Sequence, residues 1–390
     1  MTTDGFTQCG RALCAVAILA ASGCSGPYQA PLARRSINNT ATADRVEPAA
    51  SRESDLVVQE MPIRPVGTPS TGTPASRADN VAIGQLRERA INMLAVSAAA
   101  PSAEERANAI EALIAMPSRL KPLAAAGLTD PNPGVRAIAA MAVGKTRLTE
   151  LSPLLQPLLS DPLPQVRANA IYAMMRCDRP VDPTPLAEML TDPSPQVRAQ
   201  AAFVMGELGE KSAIGPLREA QRRGLSKAAP GAIRMMELQI AEARAKLGDD
   251  DALIDIRTAL FPARSEDLEA TALAAQIVGQ IGDKGSVDRL MFLTAEWDRD
   301  RQPMPAEIRL AAAGSLAKLG HRQGSFIAEL YKGNPSDVLR AQAALVLGDT
   351  GWTDNLATLT PMLDDPSGRV RVAAAAAIAK ITGNMPLPNG

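Results

Sequence analysis

Apolar residues recur with helical spacing through most of the chain after residue 77. Counted from its first valine, one segment holds Val135, Ala139 and Ala142 at positions zero, four and seven. The corresponding triplets in two further segments are Val166/Ala170/Ala173 and Val197/Ala201/Val204. Residues at this spacing share one face of an α-helix. The pattern therefore predicts helices that bury a narrow face of small side chains.

Position ten of the same count is charged in several segments. The residues at this position are Lys145, Arg176, Glu207, Lys318, Asp349 and Lys380. Charged side chains are rarely buried without partners, so position ten is expected to face water. A helix turns by about 100° per residue, which places positions three and six close to the same direction.

An Asp-Pro dipeptide precedes three of these helices at a fixed interval. Asp130, Asp161 and Asp192 are each followed by proline and are 31 residues apart. The interval returns near the carboxyl end, between Asn334 and Asp365. A period of 20 to 50 residues is typical of a solenoid built from stacked repeats. Each unit is predicted to contain a short first helix, the Asp-Pro turn and an alanine-rich second helix.

These units resemble HEAT repeats of the short bacterial kind found in the phycobilin-lyase group, over roughly residues 77–383. In four units an aspartate precedes an arginine by six residues: Asp130/Arg136, Asp161/Arg167, Asp192/Arg198 and Asp365/Arg371. The resemblance implies that these pairs form a structural ladder of charge-assisted hydrogen bonds. Less regular units are placed at Glu105-Arg106, Ile233-Arg234, Leu268-Glu269 and Ile308-Arg309. The predicted fold is an all-α solenoid of about nine HEAT-like helical hairpins.

The resemblance also implies a binding surface, because the second helices of HEAT arrays line the concave side. At position six, Met141, Tyr172 and Phe203 would then form an apolar strip. The amides of Asn169 and Gln200, at position three, would flank this strip. Such a strip suits an extended peptide. The alternative is that these large side chains fill gaps between neighbouring helices. Trp297, on a long mixed-charge insertion, is a further candidate for partner binding, unless it packs under its own loop.

The amino-terminal part predicts export and lipid anchoring. An apolar run of about ten residues from Ala12 is too short for a membrane span, which needs about twenty, and ends in small residues before Cys24. This arrangement resembles a bacterial lipoprotein signal (1–23) with Cys24 acylated, although an ordinary cleaved signal peptide is an alternative. Residues 24–77, rich in Pro, Ser and Thr, are predicted to be a disordered tether, residues 78–383 the solenoid, and residues 384–390 a short tail.

The composition offers few catalytic groups. His321 is the single histidine, the chain has 4 cysteines, and the formal net charge is -1, which gives nucleic acid no basic field to bind. No cofactor or metal site is predicted. The deoxyhypusine hydroxylases, which are HEAT-repeat enzymes, bind iron through His-Glu pairs that this chain lacks. Val143-Gly144-Lys145-Thr146 lacks the first glycine of a phosphate-binding loop.

The leading functional hypothesis is therefore a non-enzymatic envelope scaffold. It would be held to the membrane through its lipid alone, with the outer membrane favoured and the array facing the periplasm, and would bind a protein or peptide. Two alternatives remain open. One is a lyase-like or chaperone-like protein that handles a small ligand, and the other is a purely structural spacer.

Overall fold

The computed structural model describes residues 77–225, 228–261, 267–297 and 304–383. These residues form 18 α-helices arranged as nine consecutive hairpins, so the predicted all-α solenoid is confirmed. The predictions for the signal peptide, Cys24, the tether and the tail concern residues outside the described ranges.

The first helices of the hairpins form an outer layer, each with one face exposed to solvent. They are α1 (Arg77–Ser97), α3 (Pro117–Gly127), α5 (Ser152–Leu155, continued by a 3-10 helix over Gln156–Ser160), α7 (Thr184–Met189), α9 (Ile214–Arg222), α11 (Asp251–Ala259), α13 (Val287–Leu293), α15 (Gln323–Tyr331) and α17 (Asn355–Met362).

The second helices form an inner layer and are buried on nearly all sides. They are α2 (Ala103–Ala112), α4 (Pro133–Thr146), α6 (Pro164–Arg176), α8 (Pro195–Leu208), α10 (Pro230–Lys246), α12 (Leu268–Gln280), α14 (Ala306–Lys318), α16 (Asp337–Asp349) and α18 (Gly368–Gly383). Each packs against the inner helices before and after it. As predicted, positions zero, four and seven form the core, and Val135, Ala139 and Ala142 are fully buried.

Local sequence explains where the inner helices start. Asn132 caps α4 by accepting hydrogen bonds from the backbone N–H groups of Gly134 and Val135, and Pro133 occupies the first turn. Proline fits there because the first helical N–H groups have no partner within the helix. At the carboxyl end of α8, Gly209 adopts a φ of 81°, a left-handed conformation that glycine takes without strain.

Two kinds of junction alternate along the inner layer, and position nine distinguishes them. From α4 to α18 this position holds Gly144, Met175, Gly206, Ala245, Gly279, Ala317, Gly348 and Ala379. Each glycine meets a small residue at position seven of the next inner helix: Ala173, Ala243, Ser315 and Ala377. We call these four the close junctions (α4/α6, α8/α10, α12/α14, α16/α18). At the open junctions between them, the helices approach less closely.

The close junctions also correct two repeat positions. Ala243 meets Gly206 as Ala173 meets Gly144, so position zero of α10 is Met236 rather than Ile233. In α12, Gly279 is position nine, and position zero is therefore Ala270 rather than Leu268. The sequence misplaced both because neither segment has an Asp-Pro turn to fix the count.

The first and last hairpins meet, so the described hairpins close into a ring. Helix α18 packs against α1 and α2, and one apolar cluster contains Leu94 of α1 together with Val370 of α18. Two ion pairs reinforce the contact. The Arg369 guanidinium donates to both carboxylate oxygens of Glu104 at 2.6 and 2.8 Å, and Arg89 pairs with Asp364 at 2.7 Å.

Candidate interaction site

Arginines connect the turns that start successive inner helices. Nη1 of Arg136 donates to the Asp130 carbonyl of its own turn at 2.8 Å, while its Nε donates to the Asp161 carboxylate of the next turn at 2.9 Å. The same arrangement joins Arg106 to Asp130 at 2.7 Å and Arg340 to Asp365 at 2.8 Å. Each of these guanidinium groups therefore ties two hairpins together through charged hydrogen bonds.

Within the described part of the chain, three of the predicted ladder arginines donate hydrogen bonds to carbonyl groups alone. Arg167 and Arg371 donate to the aspartate carbonyl of their own turn at 2.7 and 2.9 Å. Among the described residues, no hydrogen bond joins Arg167 to the Asp192 carboxylate, which accepts the Ser194 N–H instead. Arg198 donates to the Asp192 carbonyl and to the Arg223 carbonyl, both at 2.6 Å. The ladder is thus interrupted at the open junction α6/α8.

The predicted concave strip is not an accessible groove. Met141, Tyr172 and Phe203 are only 3% or 4% exposed and belong to the hydrophobic core between neighbouring inner helices. Their burial agrees with the alternative, that these large side chains fill gaps between neighbouring helices, because the inner layer curves so tightly that helices two hairpins apart touch. Lys145 of α4 reaches Glu207 of α8 at 3.6 Å, across α6.

The amides that flank the predicted strip are also buried, and they form hydrogen bonds within the protein. Nδ2 of Asn169 donates to the Ala137 carbonyl at 2.9 Å, and Nε2 of Gln200 donates to Oδ1 of Asn169 at 2.6 Å. This amide chain links α4, α6 and α8. Because the Asn169 side chain is only 1% exposed, it is not accessible to a peptide backbone.

Position ten faces water only in part, because its charges pair with one another. Lys246, at position ten of the corrected α10, lies 2.8 Å from Glu207 and 2.7 Å from Glu242. Burial lowers the pKa of Lys246, but the two carboxylates outweigh it and the pKa is raised. Burial, together with the charge of Glu207, raises the pKa of Tyr172. These ions stabilise the ring and present no open binding site.

Large apolar side chains are instead exposed on the outside of the ring. The outer apolar face, as we call it, comprises Ile254, Phe261, Met291, Trp297, Phe326 and Leu330, which are between 36% and 69% exposed. These residues come from three successive outer helices, α11, α13 and α15, and from the segments that directly follow α11 and α13. The other exposed large apolar residues in the described ranges are Val81, Val96 and Leu154.

Cation–aromatic packing joins Phe261 of the outer apolar face to α13. The Arg289 guanidinium of α13 lies 4.1 Å from the centre of the Phe261 ring and 4.7 Å from that of Phe292. Its Nη2 donates to the Leu260 carbonyl at 2.7 Å. Trp297, predicted as a partner-binding residue, is 53% exposed. Apolar residues on the solvent face of a first helix, such as Phe326, were the sequence feature that could have revealed this surface.

Other candidate chemistry has structural explanations. Asp249, the first residue of an acidic turn, is buried and accepts hydrogen bonds from Arg218 and Arg244 at 2.6 and 2.8 Å. Hydrogen bonding by Arg218 lowers the pKa of Asp249 to about 2. Cys177 is buried. Within the described ranges, no cluster of three metal-binding side chains occurs and no helix is long and apolar enough to cross a membrane.

Comparison with known families identifies the repeat. Models described as HEAT repeats and HEAT repeat match residues 88–175, 120–193, 324–388 and 184–212. The chain contains HEAT repeats. Most of the outer apolar face lies between the matched HEAT segments, in the part of the ring without Asp-Pro turns. A comparison with curated protein sequences gives no match.

Solved structures with similar helical arrays share little sequence with these HEAT repeats. Human deoxyhypusine hydroxylase is 16% identical, with 68% of this chain and 98% of that chain covered and a TM-score of 0.35. The phycocyanin lyase complex from Nostoc is 20% identical, with 66% and 94% covered and a TM-score of 0.31. An engineered protein is 16% identical, with 79% and 96% covered and a TM-score of 0.30.

Proposed function

We propose that the ring is an interaction scaffold that binds a protein partner through the outer apolar face. HEAT repeats generally mediate protein–protein contacts, which supports the class of function. The concentration of exposed apolar side chains on α11, α13 and α15 is the observation that carries the proposal. Large exposed apolar patches are typical of interaction sites. The buried inner layer offers no comparable surface.

The proposal includes attachment to the cell envelope. Cys24 would carry the lipid, the tether would let the ring work away from the membrane, and the partner would lie in the periplasm near the outer membrane. Support comes from the sequence before residue 77, in particular the short apolar run and the small residues before Cys24. Mass spectrometry of the mature amino terminus tests this part. An unmodified terminus at another residue would contradict it.

A double substitution tests the docking surface. Phe326→Ser with Leu330→Ser removes two of its most exposed side chains, and the free energy of unfolding should change by less than about 0.5 kcal/mol per site because both are exposed. Crosslinking followed by co-purification should then recover much less of the partner than the wild-type chain does. Val96→Ser, an equally exposed change on α1, is the matched control. Undiminished recovery with the double variant would refute the proposal.

A further inference from the structure

The ladder arginines bind a carboxylate in one repeated way. In the turn before α18, the Asp365 carboxylate accepts hydrogen bonds from Nε and Nη2 of Arg340, at 2.8 and 2.9 Å, and from the backbone N–H of Ser367 at 2.8 Å. The turns before α4 and α6 supply the same three donors to Asp130 and Asp161. Each complete site therefore directs two guanidinium N–H groups and one backbone N–H at a single carboxylate.

The contact that closes the ring places the first turns of α18 and α2 side by side. The two helices pack against each other, and Arg369 in the first turn of α18 holds Glu104 in the first turn of α2 through two hydrogen bonds. We call this contact the seam. Along the ring, α2 follows α18 as α4 follows α2. The arginine that would complete a site in the turn before α2 is therefore Arg371.

The turn before α2 has the backbone of a ladder turn but no carboxylate. Its sequence is Ala100-Pro101-Ser102, whereas the turns before α8 and α18 read Asp-Pro-Ser. Arg106 donates to the Ala100 and Pro101 carbonyls, both at 2.9 Å, as the ladder arginines donate to the first two carbonyls of their own turns. Ala100 therefore stands where these turns have aspartate, and its side chain has no oxygen to accept the Ser102 N–H.

Arg371 lacks the carboxylate that the other sites contain. Its Nη1 donates to the carbonyls of its own turn, and among the described residues no carboxylate accepts a hydrogen bond from its Nε or Nη2. The acids of α2 do not replace the missing group. Both oxygens of Glu104 are held by Arg369, and the Glu105 carboxylate lies against Gly368.

We propose that the seam binds a carboxylate group from outside the ring through Nε and Nη2 of Arg371 and the N–H of Ser102. Arg371 and Ala100 are half-buried and Ser102 is exposed, so solvent reaches the site. The complete sites define the chemistry of the ligand, because a guanidinium edge pairs two parallel N–H groups with one carboxylate. The ligand is either a free small carboxylate or an acidic side chain of a protein. The seam is separate from the outer apolar face, and this inference does not depend on the proposed function.

Binding is tested on the full chain by nitrogen NMR of the arginine Nε–H groups, in which Arg371→Lys identifies the signal of Arg371. The probes are acetate and the peptide acetyl-Gly-Asp-Gly-amide, with acetyl-Gly-Asn-Gly-amide as the uncharged control. The Arg371 signal should shift saturably with the aspartate peptide and not with the asparagine peptide. An equal response to acetate would identify a free carboxylate as sufficient, and a response to the peptide alone would identify an acidic side chain as the ligand.

Filling the site from within the chain gives a second test. Ala100→Asp supplies the carboxylate that the Asp-Pro-Ser turns have, so it should raise the melting temperature and weaken peptide binding about tenfold or more. The gain in melting temperature should be lost when Arg371→Lys is added, because lysine does not offer two parallel donors. Ala99→Asp introduces the same charge at the neighbouring exposed residue and is the matched control, which should change neither quantity.

Two results would overturn the seam site. One is an Arg371 signal that responds neither to the aspartate peptide nor to acetate. The other is equal peptide binding by the Ala100→Asp and Ala99→Asp chains. Neither result bears on the outer apolar face, which is tested separately by Phe326→Ser with Leu330→Ser.

Discussion

The close and open junctions of the inner layer differ in what holds neighbouring hairpins together. At a close junction, glycine lets the next helix approach so far that a Cβ atom on Gly206 would lie 2.9 Å from Cα of Ala243. At the open junction α6/α8, Met175 replaces glycine and no hydrogen bond joins Arg167 to Asp192. The 31-residue repeat is therefore only half of the structural period, and the packing unit is a pair of hairpins.

At two open junctions, where the inner helices are farther apart, side-chain hydrogen bonds connect neighbouring hairpins. At the open junction α10/α12, Asp249 binds Arg218 of the preceding outer helix as well as Arg244. At the open junction α14/α16, Arg309 donates to the Tyr331 hydroxyl at 3.0 Å. Close junctions should thus respond most to added volume, whereas the effect of removing a charged side chain should depend on the contacts which that side chain makes.

The largest effect is expected when a close junction is forced apart. Gly206→Met places in α8 the residue type that α6 has at the same position. The substitution should lower the free energy of unfolding by about 3 kcal/mol or more, because backbone atoms of α10 occupy the space that the side chain needs. Chemical denaturation measures this change. Gly84→Met on α1, where no atom lies within 4 Å of the added Cβ, is the control and should not destabilise. Similar losses for both variants would remove the distinction between the junctions.

A smaller loss of stability is expected when a ladder arginine is removed, and it should differ between a close and an open junction. Arg136→Ala breaks a charged contact across the close junction α4/α6 and should cost about 2 to 3 kcal/mol. Arg167→Ala, at the open junction α6/α8, loses only carbonyl contacts and should cost about 1 kcal/mol. Thermal melting of the two variants gives the comparison. Equal losses would show that the carboxylate contributes nothing.

Acid should weaken an open junction. The pKa of Asp249 is about 2 in the folded chain, below its ordinary value of 3.8. The resulting stabilisation is present above about pH 4 and is lost as the pH falls towards 2, and it amounts to about 1 to 2 kcal/mol because Arg218 is half exposed. Asp249→Asn should remove this pH dependence, as measured by denaturation at pH 6 and pH 2.5. Asp250→Asn, exposed in the same turn, should retain it.

The smallest change in stability is expected at Gln239, in the inner helix that follows the buried amide chain of Asn169 and Gln200. Among the described residues, neither amide atom of Gln239 on α10 has a hydrogen-bond partner, whereas Asn169 hydrogen-bonds to both Ala137 and Gln200. Gln239→Leu should therefore stabilise the ring by about 1 kcal/mol, because it removes unpaired buried polar atoms. Asn169→Leu should destabilise it. Melting temperatures that fall for both would mean that Gln239 has a partner in solution.

The sequence predicted the repeat and its core well, because one regular pattern fixes both. The Asp-Pro turns set the count, and Val166 and Ala170 face the core as that count requires. The register failed at two of the units without this turn, by three residues in α10 and by two in α12. The alternation of glycine with larger residues at position nine was visible in Gly144 and Met175, but its meaning depends on contacts between helices.

The candidate site was harder to predict because exposure depends on curvature. Tyr172 and Phe203 lie near a charged position on the helical wheel, yet the tight ring buries them. Ring closure depends on contacts between residues far apart in the chain, such as Arg369 and Glu104, and no local pattern encodes them. Trp297 was identified because it lies on an insertion, whereas Phe326 lies within an ordinary repeat helix.

Closure of the ring changes how the molecule should come apart. An open solenoid frays from its terminal repeats, which lack a neighbour on one side and need special caps. Here α1 and α18 cover each other, so no hairpin has a free side from which unfolding can start. The chain ends of the ring also lie together, which makes circular permutation possible. A chain that joins residue 383 to residue 77 and opens at the exposed Gly333 should fold into the same ring.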